Sequence, residues 1–197
     1  MGKLFCIMGK SASGKDTVYK ALVNDPELHL HTVVPYTTRP IREGEAEGEN
    51  YYFVDESVFC RMAAEGKIIE DRAYNTVDGL WRYFTADDGQ IDFSKGYFII
   101  IGTLEAYVKM AAYFGRESVI PIYIEVEDGQ RLHRAIAREE IQKKPKYAEL
   151  CRRFLADNED FSSEKLAAAG VCKFYENNCL EQCINDIRAD ILKELQK

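Results

Sequence analysis

The residues best suited to chemistry lie near the N-terminus, in the segment Gly9-Lys10-Ser11-Ala12-Ser13-Gly14-Lys15. This segment has the spacing of a Walker A phosphate loop, and it follows an apolar run and precedes a helical pattern, as that motif requires. Small residues let backbone N–H groups turn toward phosphate oxygens, and the lysine can reach the terminal phosphates. We therefore expect a nucleoside triphosphate to bind here, its phosphates held by Gly9, Ser11, Ala12, Ser13, Gly14, Lys15, Asp16 and Thr17.

The loop departs from the usual motif immediately after Lys15. A Ser or Thr normally stands there and ligates Mg²⁺, whereas this chain has Asp16 followed by Thr17. Carboxylate and hydroxyl oxygens both suit a hard cation, so Asp16 and Thr17 are candidate Mg²⁺ ligands. Because Asp16 adds negative charge beside the triphosphate, nucleotide binding should depend strongly on the metal.

A second set of groups that could bind phosphate lies in the segment from Thr37 to Glu45 and just after it. Arg39 and Arg42 offer planar guanidinium groups that match a phosphate dianion, and Tyr51 offers a phenolic donor. The same two arginines could instead pair with neighbouring glutamates, an arrangement that contributes little at a surface. The residues alone leave both interpretations open.

The elements that must position these groups alternate between strand and helix. Buried or short strands are predicted at 3–8, 31–54 (in pieces around a polar loop), 97–101, 119–124 and 172–175, and another short strand is predicted to begin at 68–69. Helices are predicted from Gly14 to about 24, after Asp55, and at about 103–114, 128–160 (interrupted near Lys144-Pro145) and 179–195. This alternation predicts an α/β protein whose parallel sheet is covered by helices on both faces.

Composition limits the classes of function. The 197 residues are 46% hydrophobic and 30% charged, which is typical of one globular domain, and the net charge of −7 argues against binding to a nucleic-acid polymer or an anionic membrane. The apolar runs have strand length and are too short to span a bilayer. The six cysteines lack metal-binding or disulfide spacing, which favours a reducing, cytoplasmic location. Monomer and homodimer both remain open.

The phosphate loop, the segment from Thr37 to Glu45 and the continuation 48–54 together resemble the guanylate kinase family, over nearly the whole chain. The resemblance implies a P-loop kinase core with a parallel sheet flanked by helices, a small β-rich insertion that binds a nucleoside monophosphate, and a helical lid. Within a single domain, the core would comprise about 1–34, 95–126 and 155–197, the insertion about 35–94 and the lid about 127–154.

The resemblance also implies roles for individual residues. ATP with Mg²⁺ would be the phosphoryl donor, and the catalytic residues would be Lys15, Arg39, Arg138 and Arg153. The acceptor GMP would be bound by Arg39, Arg42, Tyr51, Glu70 and Thr85. The Glu70 carboxylate fits chemically, because it can accept from guanine N1–H and the 2-amino group. Asn177 would lie in the loop around the ATP base.

Several positions depart from the family pattern. Pro35 replaces a serine, Phe84 replaces a glycine, and Ile101 and Thr103 stand where the family has an Asp-x-Asp pair that supports the metal and the acceptor; Asp16 would partly replace the lost carboxylate. Three interpretations follow: a guanylate kinase acting on GMP or dGMP, a related kinase with another acceptor nucleotide, or a binding module on the same fold. The intact phosphate loop favours the kinases.

Overall fold

Nine strands are present in the computed structural model, which describes residues 2–42, 44–76 and 79–196. The strands are β1 (Leu4–Met8), β2 (Leu30–Thr32), β3 (Tyr36–Thr37), β4 (Tyr52–Phe53), β5 (Ile68–Thr76), β6 (Gly79–Ala86), β7 (Tyr97–Ile101), β8 (Val119–Glu125) and β9 (Phe174–Glu176). Among the same residues the helices are α1 (Lys15–Val23), α2 (Glu56–Ala64), α3 (Leu104–Phe114), α4 (Asp128–Glu140), α5 (Tyr147–Asp160), α6 (Ser163–Ala168) and α7 (Leu180–Leu195).

Five of the strands form a parallel sheet in the order β2-β7-β1-β8-β9. Every residue of the central strand β1 is buried, as expected of a strand covered on both faces. One face packs against α3 and α6 through residues such as Met110 and Leu166. The other packs against α1 and α7 through residues such as Leu22 and Ile187. The predicted α/β layer is confirmed, and the phosphate loop joins β1 to α1.

The insertion forms a separate sheet of four strands in the order β4-β3-β6-β5, and α2 packs against it. The strand predicted to begin at Ile68-Ile69 is present, but the prediction that it is short was wrong, because β5 runs to Thr76 and pairs antiparallel with β6. Cross-strand aromatic contacts such as Tyr74 with Tyr83, whose ring centroids lie 5.7 Å apart, stabilise this polar hairpin. Glu43, within the segment from Thr37 to Glu45, and Asp78, which precedes β6 in the chain, lie outside the described residues.

The region that resembles a lid consists of α4 and α5, separated at 141–146 as the Lys144-Pro145 pair predicts. Helix α5 continues past 154 toward Phe161, which is buried in the core. The chain therefore has no break at the expected border between lid and core, and that division stays a prediction. Helix α6 was not predicted. None of the helices in the described part of the chain has the length and apolar character needed to cross a membrane.

Candidate active site

The phosphate loop adopts the bent backbone that its small residues permit. Ala12 has φ 63° and Gly14 has φ 85°, both in the left-handed region. At Gly14 a Cβ atom would lie 2.5 Å from the Asn177 side-chain nitrogen, so this glycine is required by space as well as by φ. Such left-handed residues produce the concave runs of backbone N–H groups that bind anions.

Asn177, the residue after β9, connects this loop to the core sheet through a hydrogen bond. Its side chain is buried, and Nδ2 donates to the carbonyl oxygen of Ser13 at 2.8 Å. The backbone carbonyl oxygen of Asn177 accepts a hydrogen bond from Arg134 Nη2 at 2.9 Å. The structure thus shows Asn177 as a support of the phosphate loop, while the contact with an ATP base implied by the resemblance stays a prediction.

A cleft of about 510 Å³ opens beside the loop. It gathers seven of the residues expected on the donor side: Ala12, Gly14, Lys15, Asp16, Thr17, Arg138 and Asn177. Asn178, Leu180 and Arg134 complete its lining. The volume falls in the range of small-molecule binding pockets. Asp16 and Thr17 are both exposed in the first turn of α1, at the edge of this cleft.

Lys15 lies where two arginines of the lid region approach it. Burial lowers the pKa of the Lys15 ammonium, and the positive charges of Arg153 and Arg138 lower it further, while Asp16 and Asp157 oppose the shift. Arg153 also donates to Ser11 Oγ at 3.0 Å. Lys15 and Arg138 line the same cleft, and Arg153 contacts the loop beside it, so the structure brings these three residues together. Their catalytic roles stay a prediction.

Further contacts that sequence reasoning did not single out hold the lid region against the loop. Arg131 is only 1% exposed; its guanidinium pairs with Asp128 at 2.6 Å, donates to the Ser11 carbonyl at 3.2 Å, and lies 4.7 Å from the centre of the Phe154 ring. The carboxylate of Asp157 accepts the backbone N–H of Ser11 at 2.7 Å. The only signal in the sequence was a locally basic stretch, which does not show which arginine becomes buried.

On the acceptor side, Glu70 and Thr85 lie opposite each other on β5 and β6. Both are buried, 2% and 1% exposed, and Thr85 Oγ1 donates to Glu70 Oε1 at 2.9 Å. A buried carboxylate beside a hydroxyl can accept hydrogen bonds from a base that lies against the pair. The resemblance assigns both residues to the acceptor site; the structure brings them into contact, and their role there stays a prediction.

Arg39 is buried and paired with a neighbouring glutamate. Its two Nη atoms lie 2.7 and 2.6 Å from the oxygens of Glu45, and its guanidinium lies 5.1 and 5.4 Å from the ring centres of Tyr51 and Phe53. Arg39 holds the pKa of Glu45 below its usual value. Within the described residues the buried Nε of Arg39 has no hydrogen-bond partner. Arg42, in contrast, is exposed and lies over the ring of Trp81 at 5.9 Å.

The departures from the family pattern have different consequences. Phe84, which replaces a glycine of the family pattern, is fully buried in the core of the insertion, and its ring is stacked on that of Tyr36 at 5.0 Å. Its side chain leaves the strand on the side opposite to Thr85, because adjacent strand residues face opposite sides. Thr103 caps α3 by accepting from the Ala106 N–H at 3.2 Å. The carbonyl oxygen of Pro35 accepts from the Tyr52 N–H at 2.9 Å. Of these changes, the structure places Thr103 in contact with β5, where its hydroxyl accepts a hydrogen bond from Arg72.

A parallel sheet with a phosphate loop between β1 and α1, a β-rich insertion and two helices over the loop define the P-loop kinase fold. The crystal structure of guanylate kinase from Anaplasma phagocytophilum has this fold, with a TM-score of 0.68 and 21% identity over 100% of this chain and 87% of that one. The family model for guanylate kinase matches residues 1–78.

Relatives in sequence extend this likeness. The guanylate kinase of Leifsonia xyli is 30% identical over 196 residues, which cover 98% of this chain and 68% of that protein. The chain belongs to the guanylate kinase family. The guanylate kinase of Zymomonas mobilis is 42% identical over 81 residues, which cover 38% of this chain. This match and those to the Mycoplasma mycoides and Nostoc guanylate kinases span between 23% and 37% of those relatives' own length.

Proposed function

We propose that this protein is a guanylate kinase, which transfers the γ-phosphoryl group of ATP to GMP or dGMP and so produces ADP and GDP or dGDP. The observation that carries the proposal is the convergence of Lys15, Arg138 and Arg153 at the phosphate loop, in a chain that also buries the carboxylate of Glu70 in its insertion. Family membership supports the same reaction.

On the donor side, the loop N–H groups would hold the phosphates while positive side chains neutralise the transferring group. Lys15, Arg138 and Arg153 supply charge where it develops in the transition state, which is the main contribution a protein makes to phosphoryl transfer. The contacts of Arg131 and Asp157 with the loop support a role for α4 and α5 as a cover over the donor. Such a cover would exclude water, which would otherwise divert the reaction to hydrolysis.

The residues present also fit Mg²⁺. This ion is usually bound by one or two carboxylates together with substrate phosphates and water, so it needs no cluster of protein ligands. Asp16 is exposed beside the cleft and makes no hydrogen bond or ion pair with the described residues, which leaves both oxygens available, and Thr17 offers a hydroxyl next to it. When bound, the ion would offset negative charge on the phosphates.

On the acceptor side, Glu70 would accept from guanine N1–H and the 2-amino group, and Thr85 would contact the same base. Arg39 would bind the acceptor phosphate with its planar guanidinium. In the structure the Glu45 carboxylate is hydrogen-bonded to both Nη atoms of that guanidinium, so the phosphate would displace Glu45. The phosphate could also accept a hydrogen bond from the unpartnered Nε. Tyr51 and Arg42 would lie at the edge of this site. The acceptor phosphate is already an anionic nucleophile, so no catalytic base is needed.

The test is an ADP-release assay with ATP, Mg²⁺ and a panel of GMP, dGMP, AMP, CMP and UMP. Activity confined to the two guanine nucleotides supports the proposal. A preference for another nucleotide contradicts it and supports the second candidate, a related kinase, which the missing carboxylate at Thr103 favours. If no nucleotide of the panel supports ADP release although ATP binds normally, the protein is a binding module. The assignment of the chain as a monomer or homodimer and its cytoplasmic location stay predictions from sequence.

A further inference from the structure

An arginine lies beside the buried carboxylate of the acceptor pocket. Arg72 is two residues beyond Glu70 on β5, so both side chains leave the same face of the strand. The Nε of Arg72 donates to Glu70 Oε2 at 3.1 Å and Nη2 donates to Oε1 at 3.4 Å. The Arg72 side chain is 15% exposed and that of Glu70 is 1% exposed, so this is a nearly buried ion pair at the base-reading position.

The guanidinium of Arg72 retains unused donors. Its Nη1 donates to Thr103 Oγ1 at 3.3 Å, so three of the five N–H groups of the guanidinium have acceptors. No other acceptor for it lies among the residues that the structure describes. Burial alone would lower the pKa of Arg72, but the charge of Glu70 and its hydrogen bond outweigh burial and raise it, so the group stays cationic. A charged donor and a charged acceptor therefore stand side by side.

The acceptor capacity of Glu70 indicates which contact must change when a base binds. A carboxylate has about four lone-pair sites, of which Arg72 uses two and Thr85 uses one. Guanine brings two donors, N1–H and the 2-amino group, so one existing hydrogen bond has to be released. The longest is that from Arg72 Nη2 at 3.4 Å. Its release leaves an N–H group beside the ring position that Glu70 reads.

We propose that Arg72 is a specificity-determining residue that donates to the carbonyl oxygen next to the ring N–H read by Glu70, which in guanine is O6. The inference rests on the proposed function, since it takes Glu70 as the base-reading residue. Together Glu70 and Arg72 select bases that have adjacent N–H and C=O groups. Adenine presents an amino group and an unprotonated nitrogen there, so both of its groups meet a partner of the wrong kind, and sites of this type reject such analogues strongly.

The test compares GMP with 6-thio-GMP, in which a sulfur atom, a weak acceptor, replaces O6 and the N–H donors remain. Acceptor affinity is measured by calorimetric titration, and kcat/KM by ADP release. In the wild-type protein we expect GMP to be preferred about 10- to 100-fold, as for loss of a hydrogen bond to a charged group. Arg72→Met should weaken the binding of GMP by a similar factor but that of 6-thio-GMP only slightly. The preference for GMP over 6-thio-GMP, which we call the ratio, should therefore fall toward one.

Arg82→Met is the matched control, because Arg82 lies on the neighbouring strand, faces away from Glu70 and lies over the Phe59 ring at 4.3 Å. It should leave the ratio unchanged. If Arg72→Met does not fold because Glu70 loses its counter-ion, the double variant Glu70→Gln with Arg72→Met leaves no unpaired charge. Its ratio should be near one, whereas Glu70→Gln alone should keep the wild-type ratio.

Two results for Arg72→Met would overturn the inference. An equal loss of affinity for both nucleotides would show that Arg72 only positions Glu70. Tighter binding of GMP would show that Arg72 competes with the base for Glu70. The two readouts separate this inference from the proposed function. Turnover of GMP with an unchanged ratio refutes only the inference, and GMP binding with the expected ratio but without turnover refutes only the function. Failure of the wild-type protein to bind either nucleotide refutes both.

Discussion

The carboxylate of Asp157, on α5, accepts the backbone N–H of Ser11, in the phosphate loop, at 2.7 Å. The same carboxylate lies 3.7 Å from the guanidinium of Arg131, and its charge acts on Lys15. A negatively charged side chain therefore engages a donor of the loop that is expected to bind phosphate. This contact holds α5 against the loop, and we expect it to compete with an incoming triphosphate.

Replacing this carboxylate should strengthen ATP binding. Asp157→Asn keeps the shape of the side chain but removes a negative charge near Lys15, so we expect the Kd for ATP to fall about 3- to 10-fold, equivalent to about 1 kcal/mol. Calorimetric titration with Mg-ATP measures it. Glu159→Gln, which removes one exposed charge from the same helix, should change the Kd by less than about twofold. An unchanged Kd in Asp157→Asn would show that Asp157 does not compete with the triphosphate.

Lys15 should be required for turnover and at the same time destabilise the protein without nucleotide. Because burial lowers the pKa of Lys15, holding its charge costs stability at pH values below that lowered pKa. The unfolded chain binds more protons between the lowered pKa and 10.5, so the cost shrinks as the pH rises through that interval. Lys15→Met removes the charge and with it this cost.

We therefore expect Lys15→Met to lose ATP-dependent turnover and to unfold at a higher temperature than the wild type at pH 7 without nucleotide. A gain of about 2–4 °C in Tm would correspond to about 1 kcal/mol for a chain of this size. The difference should narrow toward pH 10. Lys20→Met, at an exposed position of α1, should leave Tm and turnover unchanged. A variant less stable than the wild type at pH 7 would contradict the argument.

Loss of the Glu70 charge should weaken guanine recognition specifically. Glu70→Gln replaces an acceptor of two N–H groups by a group with one oxygen and a donor, so kcat/KM for GMP should fall about 10²- to 10³-fold while the KM for ATP is retained. Because Arg72 loses its counter-ion, the free energy of unfolding should also fall by about 1–3 kcal/mol. Steady-state kinetics and urea unfolding measure the two effects.

Asp71→Asn provides the control for that experiment. Asp71 is the next residue on β5 and faces the other side of the hairpin, where it lies 3.6 Å from Arg82. Asp71→Asn removes one negative charge, as Glu70→Gln does, yet its kcat/KM for GMP should stay within about twofold of the wild-type value. If Glu70→Gln and Asp71→Asn behave alike, the placement of the base pocket at Glu70 is wrong.

Acid should weaken an ion-pair cluster between β9 and α7. Burial raises the pKa of Asp190, but hydrogen bonds from Lys173, Lys193 and Tyr175 outweigh it and lower the pKa to about 2. A carboxyl group with a lowered pKa stabilises the fold above its ordinary value of 3.8, and this contribution is lost as the pH falls toward 2. Asp190→Asn should cost about 2 kcal/mol at pH 6, and the difference from wild type should diminish below pH 4. A difference that does not vary with pH would contradict this origin.

The core sheet and the phosphate loop could be predicted because their signals are local. The central strand is a continuous apolar run, and the loop that follows it has a fixed spacing of small residues. The β5–β6 hairpin could not be predicted in the same way, because β5 carries charged and polar residues and is stabilised by partners on another strand. Its length depends on cross-strand contacts, which periodicity along one segment does not reveal.

Residue types at fixed spacing were sufficient to predict the fold class, the phosphate loop at 9–15 and the charged groups available near it. Which of those charges are used, and how, became clear from the packing of the folded chain. Arg131 is buried against the loop, Arg39 is paired with Glu45, Phe84 lies in the core of the insertion and Arg72 lies beside Glu70. No local pattern shows these contacts, because burial and ion pairing depend on which chain segments approach one another in space.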